Sequence, residues 1–427
     1  MNPDFGPKRD WKLGEMGDYF RIKHGFAFKG EFFSDNGHYI LLTPGNFKPE
    51  GGIKLKGEKE KYYIGEFPSE FLLKRDDFLV VMTDLTQNAP ILGSPAFIPE
   101  DGKFLHNQRL GKIIGLDIEK IDVSFLYYLF NYDKVRGQIK ASATGATVRH
   151  TAPDRIYAVE IELPPLPSQR KIAAILSTYD NLIENNTRRI QILEEMAQNL
   201  YREWFVHFRF PGHEKVQMVD SELGPIPEVW EVKTLGDLAV EVRRGVNPDE
   251  VDPETPYFGL EHLPRKSIAL SEWGIADQIK STKLTFRKGE ILFGKIRPYF
   301  HKVGVAPVDG ICSSDTIVIS PKKPDYFSIV LCCVSSEDFV NHATQTSQGT
   351  KMPRANWKVL VNYPIMLPPD PLKSNFDNLV LDIVSQIQNT IHRNRNLHRT
   401  RDLLLPKLIS GEVDVENLDI NTSNFET

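Results

Sequence analysis

The sequence predicts a mixed α/β (α+β) protein built twice over. Two globular domains are separated by two long helices that pair as an antiparallel coiled coil, and a pseudo-two-fold relates the halves. Three observations carry this prediction. The chain repeats itself at a spacing of 204 residues: Gly145 returns as Gly349, Leu163-Pro164-Pro165 as Leu367-Pro368-Pro369, Ile183 as Ile387, Arg189 as Arg393 and Leu200 as Leu404. After each Leu-Pro-Pro-x-Pro stop, apolar residues recur in steps of three and four, the period of a helix seam. Before each stop, short apolar runs flanked by Gly, Pro, Asp or Ser read as strands. A spacing this long marks a duplicated half-molecule rather than a solenoid unit.

Residues 1–165 form the first expected globe, with strands near Phe78–Met82 and Ile113–Leu116 and a helix near Val123–Tyr132. Its start, Leu13-Gly14-Glu15-Met16, resembles Leu235-Gly236-Asp237-Leu238 at a spacing of 222, which assigns about 18 extra residues to the first half. Residues 166–210 hold the first long helix, bounded upstream by Pro165 because proline cannot continue a helix interior. Its seam reads Ile172, Leu176, Tyr179, Ile183, Asn186, Ile190, Leu193, Ala197, Leu200 and Trp204. A polar Asn186 among apolar neighbours is a device for fixing register. From Ile172 to Trp204, at about 1.5 Å per residue, the rod spans roughly 50 Å. That is comparable with one to one-and-a-half turns of DNA. Residues 211–367 form the second globe, with strands near Ile291–Phe293 and Thr316–Ile319 and a helix near Phe327–Phe339. Residues 368–413 hold the second long helix, bounded by Pro369, with a weaker seam of Phe376, Val380, Ile383, Ile387, Thr390, Asn394, Leu397, Arg401, Leu404 and Leu408. Pro406 is expected to kink it or end it early. An acidic tail, 414–427, follows. No helical pattern precedes Trp11, so a circular closure of the repeat must come from the C-terminal end.

Composition excludes several classes. The chain is 41% hydrophobic and 26% charged, and its longest apolar run, Ile329–Val334, is far too short to span a bilayer. The N-terminal residues lack the apolar core of a secretory signal, and three cysteines cannot build a disulfide framework, so a cytoplasmic location is expected. Fifty-two basic against 57 acidic residues give a net charge of −5, which announces no nucleic-acid partner globally. A run from Lys280 to Lys302 is locally basic. Catalytic signatures are missing. The nearest approach to an adenine-methyltransferase loop is Asn2-Pro3-Asp4-Phe5, without its second proline. No Walker-type or cofactor-binding glycine turn occurs. Asp101-x-Lys103 matches a nuclease pattern only at chance quality, and the histidines show no metal-ligand spacing.

The stretch LPPLPSQRKIAAILSTYDNLIENNTRRIQILEEMAQNLYREWFV resembles the central conserved helix of the specificity subunit of type I restriction–modification enzymes. Leu367 to Val413, ending LLLPKLISGEV, is similar to the distal conserved helix of that family. The resemblance implies a non-catalytic, sequence-specific DNA-binding subunit with two target recognition domains. Each would read half of a bipartite, asymmetric site in double-stranded DNA, with the helices setting the spacing. It further implies two methyltransferase subunits as partners, and two ATP-driven restriction–translocase subunits in the full complex. S-adenosylmethionine, ATP and magnesium would act on those partners rather than on this chain. Two other readings stay open: a stand-alone pseudo-dimeric DNA-binding protein, and a coiled-coil scaffold without enzyme partners.

Candidate DNA contacts fall in loops. The loop holding Thr144, Gly145, Thr147 and Arg149 aligns with the loop holding Gly349, Thr350, Lys351 and Arg354, Gly145 falling on Gly349. Small hydroxyl residues, a glycine and a cation suit a loop that brings N–H groups and charge to phosphate, although an ordinary turn has the same composition. Lys295, Arg297, Tyr299 and Lys302 mix cations with an aromatic, whereas the corresponding Thr86, Gln87 and Asn88 are neutral and suit amide contacts to bases or, equally, an ordinary solvated loop. Asn107 and Arg109 form a further cluster.

Overall fold

The computed structural model describes residues 10–221 and 223–423. The Asn2-Pro3-Asp4-Phe5 string and the last four residues of the tail therefore lie outside the described residues. The chain divides into two compact units, Met1–Asn181 with Arg399–Thr427, and Leu182–His398. Each unit holds one globe and a part of both long helices.

In the first unit, a sheet of order Arg21–His24, Leu110–Ile114, Phe78–Val81, Pro95–Phe97 is antiparallel throughout. Helices Val123–Asn131 and Asp133–Ser142 follow, the former capped by Asp122, whose carboxylate accepts the Phe125 N–H. Phe78, Val80, Ile113, Phe125 and Leu129 share a core with Ile172 and Leu176 of the first long helix and Leu408 and Ile409 of the second. In the second unit, the corresponding sheet runs Ala239–Val242, Thr316–Pro321, Ile291–Gly294, Val303–Val305. The single helix expected over Phe327–Phe339 is two, Phe327–Val334 and Glu337–Gln345, because Ser336 caps a new start by accepting the Phe339 N–H.

Strand register corrects the expected alignment of the two starts. Lys12–Glu15 pairs with Glu160–Leu163, and Glu231–Thr234 pairs with Pro364–Leu367. Since Leu163 and Leu367 are equivalent, Lys12 corresponds to Glu231 and Glu15 to Thr234, a spacing of 219 rather than 222. Gly17-Asp18 then matches Gly236-Asp237, and each aspartate caps its own turn through the backbone N–H of Glu15 or Thr234. Trp11 matches Trp230. The first half carries 15 extra residues, the difference between the spacings of 219 and 204 set by these pairings. The misalignment arose because Leu-Gly-acid occurs at Leu13 by coincidence, three residues before the matching Met16-Gly17-Asp18.

This match explains how the repeat closes. Trp230 packs on Phe205 and Phe210, the segment leaving the first long helix, at ring distances of 5.3 and 5.2 Å. Trp11 meets the segment leaving the second: a β-carbon on Gly411 would come within 3.0 Å of its ring. Val415 is buried in the same unit, and Lys171 Nζ donates to Glu416 O (2.7 Å). The segment after the second long helix thus packs against the start of the first globe.

The long helices run Leu166–Tyr201 and Asp370–Ile409, directly after Pro165 and Pro369. None of the ten seam positions named on either helix is exposed. Seam residues Ile172, Leu176, Ile190, Leu193 and Trp204, and Ile383 and Ile387 opposite, are buried; Ile183, Leu200, Leu397 and Leu404 are half-buried. In the second unit Asn186 Nδ2 donates to Asn394 Oδ1 (2.7 Å), and Arg189 donates to Gln386 (3.1 Å). In the first, Arg401 pairs with Asp180 at 2.6 Å. One number rises as the other falls, so the packing is antiparallel. The polar seam positions are satisfied: Thr390 back-bonds to Gln386 O (2.7 Å), and Asp180 also accepts from the Tyr128 hydroxyl (2.7 Å). Slipping the register would strand the Asn186–Asn394 amides, at about 1–3 kcal/mol for each unpaired group.

Pro406 does not end the second helix, which continues to Ile409. A proline in a helix interior costs about 3 kcal/mol. Burial of Leu408 and Ile409, 1% and 3% exposed, returns roughly 1.5–3 kcal/mol each. Packing therefore wins.

Candidate nucleic-acid interface

Each globe brings two separate loops to one place by the same strand pairing. In the first, Thr83-Asp84 leaves the central strand and pairs with Arg149-His150. Thr144 and His150 exchange backbone hydrogen bonds (2.9 Å each), closing the loop around Gly145. In the second, Ile296 bridges Arg354, and Gln348 and Arg354 exchange the same bonds (3.0 and 2.9 Å) around Gly349. Gly145 and Gly349 have φ of +93° and +101°, a region that favours glycine. A β-carbon at Gly145 would also lie 2.0 Å from Val148 O. These glycines turn the chain from a helix into a strand, the reverse of the strand-to-helix order of a phosphate-cradling loop.

The candidate residues divide accordingly. In the first globe Thr86, Gln87 and Asn88 are exposed at the loop tip, with Leu85 beside them at 54% exposure. Asp84 organises that tip. Its carboxylate is 1% exposed and accepts from Thr86 N (2.8 Å), Thr86 Oγ1 (2.7 Å) and Ile91 N (2.9 Å). Thr144 and Thr147 are exposed, and Arg149 is half-buried with Nη2 donating to Lys140 O (2.9 Å). Arg109 is exposed, and its carbonyl accepts the Met82 N–H (2.9 Å), which places it beside the same strand exit. Asn107 leaves the candidate set. It is 7% exposed, its Oδ1 accepts the Arg109 N–H (3.0 Å), and Phe26 bridges its backbone, so it builds the fold. Neighbouring His106 is buried, and desolvation pushes its pKa down to about 4.

The second globe offers cations at the same place. Lys351, Thr350 and Arg354 are exposed on the glycine loop. Asp315 draws two cations together, Arg354 at 3.4 Å and Lys295 at 3.9 Å. Tyr299 is exposed, and Arg297 is tied to the glycine loop, its N–H donating to Pro353 O (2.7 Å). Lys302 is half-buried with Nζ on Leu260 O, and burial lowers its pKa. Asp84, Asp315 and Arg265, whose guanidinium sits 4.0 Å from the Phe300 ring, escaped sequence reasoning. A lone acid or cation carries no periodic signal, and only strand pairing brings these residues to the loops.

Among the described residues no group of three His, Cys, Asp or Glu could hold a metal ion. Asp101 and Lys103 are engaged separately, with the Arg75 N–H (2.9 Å) and with Glu100 (2.6 Å). Among the described residues, no helix is long and apolar enough to cross a membrane.

Comparison with known proteins agrees with this layout. The family profile described as the Type I restriction modification DNA specificity domain matches twice, over residues 8–195 and 227–398. The MjaIX type I restriction enzyme specificity subunit of Methanocaldococcus jannaschii is 29% identical over 327 residues, 73% of each chain. The EcoDI specificity subunit of Escherichia coli is 26% identical, covering 74% of this chain and 75% of that protein. The crystal structure of the type I restriction–modification S subunit from M. genitalium covers 93% of this chain and 96% of its own, with a TM-score of 0.57 at 16% identity, a likeness of fold. With two copies of the domain and two long antiparallel helices, the chain belongs to the type I restriction–modification specificity family and is a non-catalytic DNA specificity subunit.

Proposed function

We propose that each globe reads one half of a bipartite DNA site through its paired loops, and that the helices set the gap. The observation that carries this is the loop pair itself, built twice by equivalent strand pairings but furnished with different side chains. Residues that build the fold repeat, whereas residues that would meet DNA diverge. Residues 1–165 and 211–367 then serve as recognition domains, and the helices of 166–210 and 368–413 as spacer and as docking surface for two methyltransferase subunits. Two restriction–translocase subunits join for cleavage. S-adenosylmethionine, ATP and magnesium act on these partners, and the chain works in the cytoplasm. A net charge of −5 supports dependence on partners, because neutralised phosphates supply most non-specific affinity.

Lys351→Ala tests the phosphate role of the glycine loop. Binding of the assembled complex is expected to weaken about equally on all sequences, and the slope of log affinity against log salt to fall by about 1. Arg354→Ala is expected to do the same. Unchanged affinity between low and high salt would make this loop an ordinary turn.

A further inference from the structure

The turn from Arg297 to His301 is strained at both ends. Arg297 (φ +48°) and His301 (φ +51°) both occupy the left-handed region, where the β-carbon crowds the backbone. Between them Pro298–Phe300 makes a single 3-10 turn. Such strain persists only where surroundings over-determine it, and here they do. The Arg297 N–H donates to Pro353 O (2.7 Å), the His301 N–H to Pro298 O (2.8 Å), and His301 Nε2 to Ser335 O (2.9 Å).

The strain delivers orientation. The Arg297 guanidinium is carried 5.9 Å from the Phe300 ring, and Arg265 lies 4.0 Å from the same ring. Yet Arg297 is poorly satisfied. Its Nε is buried without a partner, and Nη2 makes one long contact with Lys351 O (3.5 Å). A planar fork of donors that is aimed but largely unspent suits a planar pair of acceptors. Strand pairing makes Asp84 the equivalent position in the first globe, and there the side chain is turned inward and consumed by its own loop.

We propose that Arg297 is a specificity-determining residue that reads a guanine in the second half-site, donating to O6 and N7 in the major groove. The left-handed turn exists to aim it. The first domain, with Asp84 at this position, reads its half-site through the amides of Gln87 and Asn88 instead. This assignment rests on the second globe being a half-site reader.

The test uses Arg297→Gly in the complete chain, assembled with its methyltransferase subunits. Glycine tolerates positive φ, so the thermal midpoint is expected to hold or rise while the guanidinium is lost. Methylation is measured on a DNA library in which each base pair of both half-sites is varied. Preference for one G·C pair in the second half-site is expected to fall roughly 5- to 150-fold, the range for one bidentate contact. Every other position should keep its preference. An even loss across all sequences with a shallower salt slope would make Arg297 a phosphate contact and overturn the proposal. So would relaxation at an A·T pair, or no change. Failure of the underlying reading is separable: exchanging the whole second globe would then leave the second half-site intact.

Discussion

Exchanging residues 235–363 for the matching segment of a relative is expected to replace one half of the methylated sequence, leaving the other half and the gap as they were. The boundaries follow from the structure. They spare the strand pair Glu231–Thr234 with Pro364–Leu367, and Trp230 on the aromatic residues after the first long helix. The incoming domain must reproduce its contacts with the helices, among them Gln388 Nε2 donating to Val305 O (3.2 Å), Lys373 with Asp325 (2.7 Å), and those of Glu194, Gln198 and Arg395. Glu194 accepts from Ser267 Oγ (2.6 Å), Ile268 N (2.7 Å) and Ala269 N (3.0 Å). Gln198 donates to Ser335 (2.8 Å), and the Arg395 guanidinium lies 3.8 Å from the Trp273 ring. A donor that keeps these should dock unchanged. Each mismatched base pair costs about 1–3 kcal/mol, so three changed positions would lower methylation of the original site at least about a hundredfold. Alteration of both half-sites, or of neither, would mean that the globes do not read independently.

Lengthening both helices is expected to lengthen the gap without touching either half-site. Four residues inserted after Arg188, with four more after Ile391 in the facing turn, add about 6 Å of helix and rotate by only about 40°. At about 3.4 Å per base pair this amounts to one or two base pairs. The paired insertion matters because Asn186 and Asn394 meet across the seam. Inserting in one helix alone would part them and leave the half-buried Asn186 and buried Asn394 amides unpaired, at up to about 1–3 kcal/mol each. The single insertion should therefore lower the thermal midpoint, and the paired one should restore it. A methylome from the paired variant with an unaltered gap and full activity would mean that loops, not helices, set the distance.

The helices and their seam were legible because a period of three and four survives in any register, and Pro165 and Pro369 punctuate it. The polar seam residues were harder. Asn186 announced a register device, but its partner Asn394 and the pairing of Arg401 with Asp180 depend on which turn of one helix faces which turn of the other. The N-terminal alignment failed because a short Leu-Gly-acid string outweighed the true anchors, Trp11 with Trp230 and Asp18 with Asp237, which only strand register reveals. At the interface, glycine loops and cations were visible as composition. Asn107 was indistinguishable from a surface amide, since its burial comes from the packing of Gly25 and Phe26 against its backbone. Asp315 acts on Lys295 and Arg354, 20 and 39 residues away, so no local pattern could have named it, whereas Asp84 turns inward on its own loop through Thr86 and Ile91.

The most direct test is a methylation assay read by sequencing the methylated positions. The purified chain with labelled S-adenosylmethionine and DNA is expected to incorporate nothing, because it supplies recognition and no chemistry. Adding the methyltransferase subunit should produce methylation at one split sequence, and that subunit without the chain should not methylate it. Incorporation by the chain alone, or methylation of the same sequence by the methyltransferase subunit without it, would contradict a non-catalytic reader of two half-sites.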